Sequence, residues 1–377
     1  MNAISPFHPG PSLRTTNAVS PYPPGPSVRT RHEYFGIRCQ RSQFRFLPRE
    51  ARAGNIKISR FVSVKSRRPM LRIEAAAANA TIEEAPEIKA DRDEEITVDL
   101  LACPICYKPL IRKGPSGLNL SAISRSAFEC AKCRKAYSNR DVYIDLTVTA
   151  GSSEYSEARP ISTELFRNPL VSFVYERGWR QNFVTGGFPG PDEEFRMAQK
   201  YFEPAAGGLL VDASCGSGLF SRRFAKCGIY SGVVALDFSE NMLRQCYEFI
   251  KGDKDLSTAN LALVRADISR LPFATSSIDA VHAGAAIHCW PSPSTAVAEI
   301  SRILRPGGVF VATTFVPPDI FDLDIVKPLR QAVKQATNIS NNLTAKELED
   351  LIKACALVDY SVIRRQAFIM FSAQKSE

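Results

Sequence analysis

Two sets of residues in this chain could do chemistry by type and spacing. The first is a series of aspartates, Asp212, Asp237 and Asp267, each ending a mostly apolar run. Asp212 follows Leu209-Leu210-Val211, Asp237 follows residues 233–236, and Asp267 follows residues 261–266. After Asp212 come Ser214, Gly216 and Gly218, at every second position. Small residues there let backbone N–H groups approach a ligand that a Cβ would hold off. The helix expected next points its positive N-terminal end at the same spot. A carboxylate at a strand tip, as at Asp237, suits the two hydroxyls of a ribose.

The second set is Cys103-Pro-Ile-Cys106 and Cys130-Ala-Lys-Cys133, with 23 residues between the pairs. Four thiolates in two tight turns match tetrahedral Zn²⁺. All four positions are thiols, so no coordination site is left for catalysis and the metal would be structural. Two disulfides, or reduced thiols without metal, are the alternatives, and a reducing interior disfavours the disulfides. The other cysteines, Cys39, Cys215, Cys227, Cys246, Cys289 and Cys355, are scattered and read as small buried or unassigned thiols.

These residues need elements to position them. Residues 209–211, 233–236, 261–266, 278–283 and 309–315 read as buried strands. Between them lie helical patterns: Ser239 can cap a helix running to Lys251, and 299–308 reads as a helix stopped by Pro306 and Gly307. Thr344 and Glu347 form a capping box opening a helix to Ala356, and 358–363 with 367–372 form an antiparallel hairpin. This alternation predicts an α/β fold. Around the cysteines, 118–123 reads as a strand and 142–146 as a strand closing a small metal-stabilised domain over 99–150. Residues 151–200 read as a linker and a helical lid, the helix falling on 163–183, with Tyr175, Arg177 and Arg180 as candidate substrate contacts; 192–202 reads as a further helix.

Length and charge set bounds. The 377 residues exceed one average domain. The net charge of +9 would suggest nucleic acid, but its distribution argues otherwise. Residues 1–74 hold 14 Lys and Arg against 3 Asp and Glu, a net of +11, and the rest of the chain holds 34 against 36, a net of −2. Residues 1–74 are rich in Arg, Ser and Pro, poor in acids, and carry the near-duplicate SPFHPGPSLRTT and SPYPPGPSVRT. They read as a transit peptide engaging the plastid import machinery and directing the chain to the chloroplast, the plastoglobule lipid droplet included, with a mitochondrial presequence as runner-up. Residues 75–98 are an acidic linker. No apolar run approaches the ~18 residues that cross a bilayer, which leaves only peripheral contact with a membrane or lipid droplet.

The glycine loop alone leaves two cofactors open. Gly216, Gly218 and Ser221 are an imperfect G-x-G-x-x-G dinucleotide fingerprint. The VDASCGSG form of residues 211–218, however, resembles motif I of class I S-adenosylmethionine-dependent methyltransferases. Asp267-Ile268 resembles that family's adenine-binding position, residues 271–273 (LPF) and 277–279 (SID) resemble its "LPF…SFD" stretch, and LRPGG at 304–308 precedes a strand as it does there. The resemblance covers about residues 200–375 and is strongest to the ubiquinone/menaquinone-biosynthesis type. Transit peptide, cysteine pairs and core together resemble uncharacterised plant chloroplast methyltransferases.

The resemblance implies a seven-stranded Rossmann-like sheet at 201–377 beside a small zinc-ribbon-like domain. It implies S-adenosyl-L-methionine held by Asp212, Ala213, Ser214, Gly216, Gly218, Asp237, Phe238, Met242, Asp267, Ile268, Ala283 and Gly284. Ser214 stands where the family has its first glycine, which a serine fits if its φ is negative. It also implies that the insertion at 319–342 shapes an acceptor pocket. Methyl transfer from a sulfonium needs an aligned acceptor and excluded water. A phenol or carbon acceptor must also lose a proton, and His288, just past the fourth strand, is the candidate base.

The expected function is a plastid methyltransferase acting on a small, lipophilic, quinone-like acceptor. The rivals are a ribosomal RNA base methyltransferase and a non-catalytic plastid protein that kept the fold. Some bacterial ribosomal RNA guanine methyltransferases also join a cysteine ribbon to such a core, and Lys132, Arg134, Lys135 and Arg140 are a local cationic group. A net charge of −2 outside residues 1–74 makes a nucleic-acid partner the lesser reading.

Overall fold

The computed structural model describes residues 96–140, 142–155, 164, 168, 179–318 and 343–377. The basic segment 1–74, linker residues 75–95, the insertion 319–342, Tyr175, Arg177 and the side chain of Arg180 lie outside the described residues. The expected lid helix over 163–183 is described only at 164, 168 and 179–183, where its last residues belong to a 3-10 helix, Trp179–Gly186.

The cysteine segment forms a four-stranded antiparallel sheet in the order β1-β2-β3-β4. Its strands are β1 (Ile96–Ala102), β2 (Pro109–Lys113), β3 (Ala127–Glu129) and β4 (Ala136–Tyr137). The first strand therefore begins inside the last three residues expected as linker. Leu101, Leu110, Ile123, Phe128 and Tyr137 fill its small core. Residues 118–123, expected as a strand, instead run into a short helix, α1 (Leu120–Ser124). Asn119 caps it by accepting from the Ala122 amide at 2.8 Å, and that local bond outweighs the β-branched Ile123.

The segment then does something the sequence pattern did not announce. β5 (Asn139–Arg140) and β6 (Tyr143–Asp145) leave the small sheet and join the large one. β6 pairs in parallel with the strand Leu261–Arg265, Ile144 facing Val264. An Asp145–Arg265 ion pair of 2.9 Å, largely buried, fixes that register.

From there the chain alternates helix and strand. In order come α2 (Pro191–Tyr201), β7 (Leu209–Ala213), α3 (Leu219–Lys226), β8 (Gly232–Asp237), α4 (Glu240–Lys251), β9 (Leu261–Arg265), β10 (Ile278–Ala283), α5 (Pro293–Ile303) and β11 (Leu304–Phe315). The closing elements are α6 (Ala345–Ala354), β12 (Leu357–Arg365) and β13 (Phe368–Lys375). The expected caps are present: Ser239 accepts from the Met242 amide, and Thr344 and Glu347 cap α6 reciprocally. α5 ends at Ile303, earlier than the sequence suggests: Leu304 is already extended, with ψ of 132°, and opens β11.

The large sheet runs β12-β13-β11-β10-β7-β8-β9-β6-β5. Seven of these nine strands are the expected ones, with an antiparallel hairpin at one edge. The two extra strands come from the cysteine segment. The central strands are apolar on both faces, as buried parallel strands must be. Leu209, Val211 and Ala213 enter one packed layer, and Leu210 enters the other. The order reverses between β7 and β10, the switch point where ligands bind beyond the carboxyl ends of such strands. Among the described residues no helix is long and apolar enough to cross a membrane.

Candidate functional site

An open cleft lies at those strand ends, where ligands of such sheets bind. Ser214 and Gly216 line it from the turn after β7, Asp237, Phe238 and Met242 from β8 and α4, Asp267 and Ile268 from the turn after β9, and Gly284 from the turn after β10. Eight of the twelve residues named from the sequence therefore meet there. Trp290, Ala285, Ala286, Cys289 and Pro291 join them, contributed by the turn after β10. Among the described residues no lysine or arginine lines the cleft.

Ala213, Gly218, Ala283 and Asp212 do not line it. Ala213 and Ala283 point into the sheet's packed layer. Gly218 is needed for another reason. Its φ is +77°, and a Cβ there would overlap the Cys246 sulfur of α4, so glycine lets the loop press against that helix.

Asp212 is the largest departure. It is 2% exposed and lies behind the loop. His282 Nδ1 lies 2.7 Å from its Oδ1, and Ser221 Oγ donates to its Oδ2 at 2.5 Å. Asp212 and His282 are register partners on adjacent strands, so their side chains share the face covered by α3. Asp212 thus fixes the loop and the start of α3 and does not touch the cleft. His282 passed unremarked in the sequence because it sits in an apolar strand; only the strand pairing shows its partner.

Asp237 does face the cleft. Its Oδ2 accepts from the Gly216 amide and its Oδ1 from the Ser239 amide, each at 2.8 Å. Burial pushes its carboxyl up from 3.8 to about 6, against the lowering effect of those amides. Asp267 closes its own turn, accepting from the Ser269 amide at 2.9 Å and the Ser269 hydroxyl at 2.6 Å.

Ser214 does not have the negative φ expected of a serine at that point. Its φ is +60°, the left-handed region usually left to glycine. The Trp290 indole N–H donates to its Oγ at 3.0 Å, an interaction no glycine could make. The serine exchanges backbone ease for a side-chain tie across the cleft.

His288 sits in a 3-10 turn, Ile287–Cys289, and does not line the cleft. Its Nδ1 is 3.1 Å from the Thr314 hydroxyl and its ring packs edge-on to Phe315. Burial lowers its pKa to about 4, so the imidazole is neutral over the physiological range.

The four cysteines of the two pairs come together as expected. Their sulfurs all lie within 4.8 Å of one another, and Cys106 and Cys130 are 3.5 Å apart. A tetrahedron with Zn–S bonds of about 2.3 Å has edges of about 3.8 Å, so a small contraction would close a site. The two turns match: Tyr107 donates its amide to Cys103 O, and Arg134 to Cys130 O, each at 2.8 Å. Tyr107 and Arg134 both have positive φ, as the residue ending each knuckle must. Burial alone would raise the Cys103 thiol, but hydrogen bonds from Tyr137 and the Ile105 and Cys106 amides outweigh it and bring it down to about 7. Such a cluster suits a metal cation.

A family profile described as a methyltransferase domain matches residues 211–312. A protein named as an uncharacterized chloroplastic methyltransferase of Arabidopsis thaliana is 54% identical over 333 residues, 88% of this chain and 92% of that protein. The chain belongs to the S-adenosylmethionine-dependent methyltransferases. A second chloroplastic methyltransferase of Arabidopsis thaliana is 56% identical over 279 residues, 73% of this chain and 79% of that protein. A demethylmenaquinone methyltransferase of Desulfitobacterium hafniense is 30% identical over 169 residues, 45% of this chain and 56% of that protein.

The cleft of the methyltransferase fits its donor. Two carboxylates stand at neighbouring strand ends for the polar edges of an adenosine, and Phe238, Met242, Ile268 and Ala286 offer apolar surface for its rings. When bound, S-adenosylmethionine supplies a methyl carbon made electrophilic by the sulfonium. The loop is set by Asp212 through Ser221, and the far side of the cleft by the Trp290–Ser214 bond.

Proposed function

We propose that this methyltransferase acts in the chloroplast on a small, lipophilic, quinone-like acceptor. The observation that carries the reading is the chemistry of the cleft wall. Beside the donor region stand Ala285, Ala286, Trp290 and Pro291, and among the described residues no lysine or arginine lines the cleft. An apolar wall of this kind suits a neutral ring system better than a polyanion. The distant relatives named as demethylmenaquinone methyltransferases support the same class. A chloroplast address is supported by the relatives named chloroplastic and by the Arg- and Pro-rich residues 1–74, which would engage the import machinery.

Ser214, Gly216, Asp237, Phe238, Met242, Asp267, Ile268 and Gly284 hold the donor in this reading, with Asp237 on the ribose and Asp267 on the adenine. Cys103, Cys106, Cys130 and Cys133 hold a structural Zn²⁺. His288, neutral, outside the cleft lining and held by Thr314, is a poor proton acceptor.

The test is incubation of the purified protein, lacking residues 1–74, with methyl-labelled S-adenosylmethionine and a chloroplast lipid extract, with plastid RNA as a parallel arm. Label should enter an organic-soluble product. Label entering RNA and not the lipid fraction would overturn the acceptor class.

A further inference from the structure

The turn carrying Asp267 and Ile268 does not stand on the methyltransferase core alone. Arg270, three residues past Asp267, reaches into the first cysteine turn. Its Nε donates to Pro104 O at 2.7 Å and its Nη2 to Ile105 O at 3.0 Å. Both carbonyls lie between the metal-ligand candidates Cys103 and Cys106. The Tyr107 ring, next in the chain, is stacked between two guanidinium groups, 5.0 Å from Arg270 and 3.9 Å from Arg302. Arg302 donates to Phe273 O and Leu271 O, at 2.8 and 2.9 Å, while Glu299 accepts from the Leu271 amide at 2.8 Å. The Ala102 amide donates to Pro272 O at 2.7 Å, and Leu101 forms a bridge with Phe273. Every residue from 270 to 273 is thus tied to the cysteine segment, to α5, or to both.

We propose that the first cysteine turn is part of the donor site, with Arg270 and Tyr107 as positioning residues that hold Asp267 and Ile268 against the bound adenosine. A metal at the four cysteines would fix the Pro104 and Ile105 carbonyls, and Arg270 carries that rigidity 3 residues along the chain to the cleft. The cysteine segment then has a function in the reaction without touching the acceptor. Loss of the metal loosens the turn and weakens donor binding. This rests on the reading of the cleft as the donor site and of the cysteines as metal ligands.

The test is calorimetric binding of S-adenosylhomocysteine to zinc-loaded wild type, Arg270→Ala and Arg270→Lys, with metal content and thermal midpoint measured in parallel. Arg270→Ala should keep its metal and bind about tenfold more weakly, and Arg270→Lys should recover part of that loss. Stripping zinc from wild type with a chelator should weaken binding similarly. Stripping it from Arg270→Ala should add little, because the connection is already cut. Should Arg270→Ala fail to fold, Tyr107→Asn removes the ring with a residue at ease at positive φ, and a several-fold weakening is expected. Unchanged affinity in a folded variant, beside a wild type that binds, would overturn the positioning role and leave the donor reading standing. No binding by zinc-loaded wild type would overturn the donor reading itself.

Discussion

His282 Nδ1 lies 2.7 Å from Asp212 Oδ1, on adjacent parallel strands and 1% and 2% exposed respectively. With Ser221 on the other oxygen, the acid of the glycine-loop motif is consumed by the protein itself. Asp212→Ala would strand two buried polar groups at once. It should lower the unfolding free energy by about 2–4 kcal/mol, read by chemical denaturation. Asp212→Asn, which keeps the shape and one acceptor, should cost about 1 kcal/mol. An alanine variant of native stability that binds no S-adenosylhomocysteine would mean that Asp212 touches the donor directly.

The Ser214–Trp290 bond makes a second, opposed pair of expectations. Ser214→Ala loses the bond and keeps the left-handed backbone, whereas Ser214→Gly loses the bond and relieves the backbone. The glycine variant should therefore be the more stable of the two by about 1 kcal/mol. Trp290→Phe keeps the apolar wall and should weaken S-adenosylhomocysteine binding about three- to tenfold. Equal stabilities of the two Ser214 variants would show that the strain is not there to relieve.

Asp237 gives a pH dependence with a definite sign. Its carboxyl is raised from 3.8 to about 6 by burial, so the folded protein holds that proton more tightly than the unfolded chain does. The group's contribution to stability is complete below pH 4 and is lost as the pH rises through about 6. Donor binding runs the other way, because ribose hydroxyls donate best to the ionised form. Affinity for S-adenosylhomocysteine should weaken roughly tenfold from pH 7.5 to pH 5. Asp237→Asn should bind weakly and flatten that profile; a flat profile in wild type would exclude Asp237 as the ribose acceptor.

His288 is expected to leave no mark on the pH–rate profile between 6 and 8, since burial holds its pKa near 4. His288→Asn should retain methyl transfer within about tenfold, through a side chain that can still meet Thr314. A kinetic limb near 6.5 that vanishes in this variant would restore His288 as the general base.

Much of this was legible in one dimension. Buried parallel strands are runs of apolar residues, so β7, β8, β9 and β10 could be read within a residue or so of their ends. Helix caps are local bonds, so Ser239 and the Thr344–Glu347 pair were visible too. The cysteine pairs could be seen to converge because each C-x-x-C turn holds two sulfurs close at short spacing. Residues read by spacing came together: eight of the twelve named for the donor line one cleft.

What the sequence alone determined is therefore the fold class, the strand-end position of the cleft and the pairing of the four cysteines, because each follows from short-range periodicity or spacing. Only the tertiary structure decided which strand-tip acids face the cleft, that β6 leaves the cysteine segment for the large sheet, and that Ser214 answers to Trp290. Those outcomes depend on side-chain direction and on partners up to 120 residues away, such as Asp145 and Arg265. No local pattern encodes a neighbour that arrives by strand pairing.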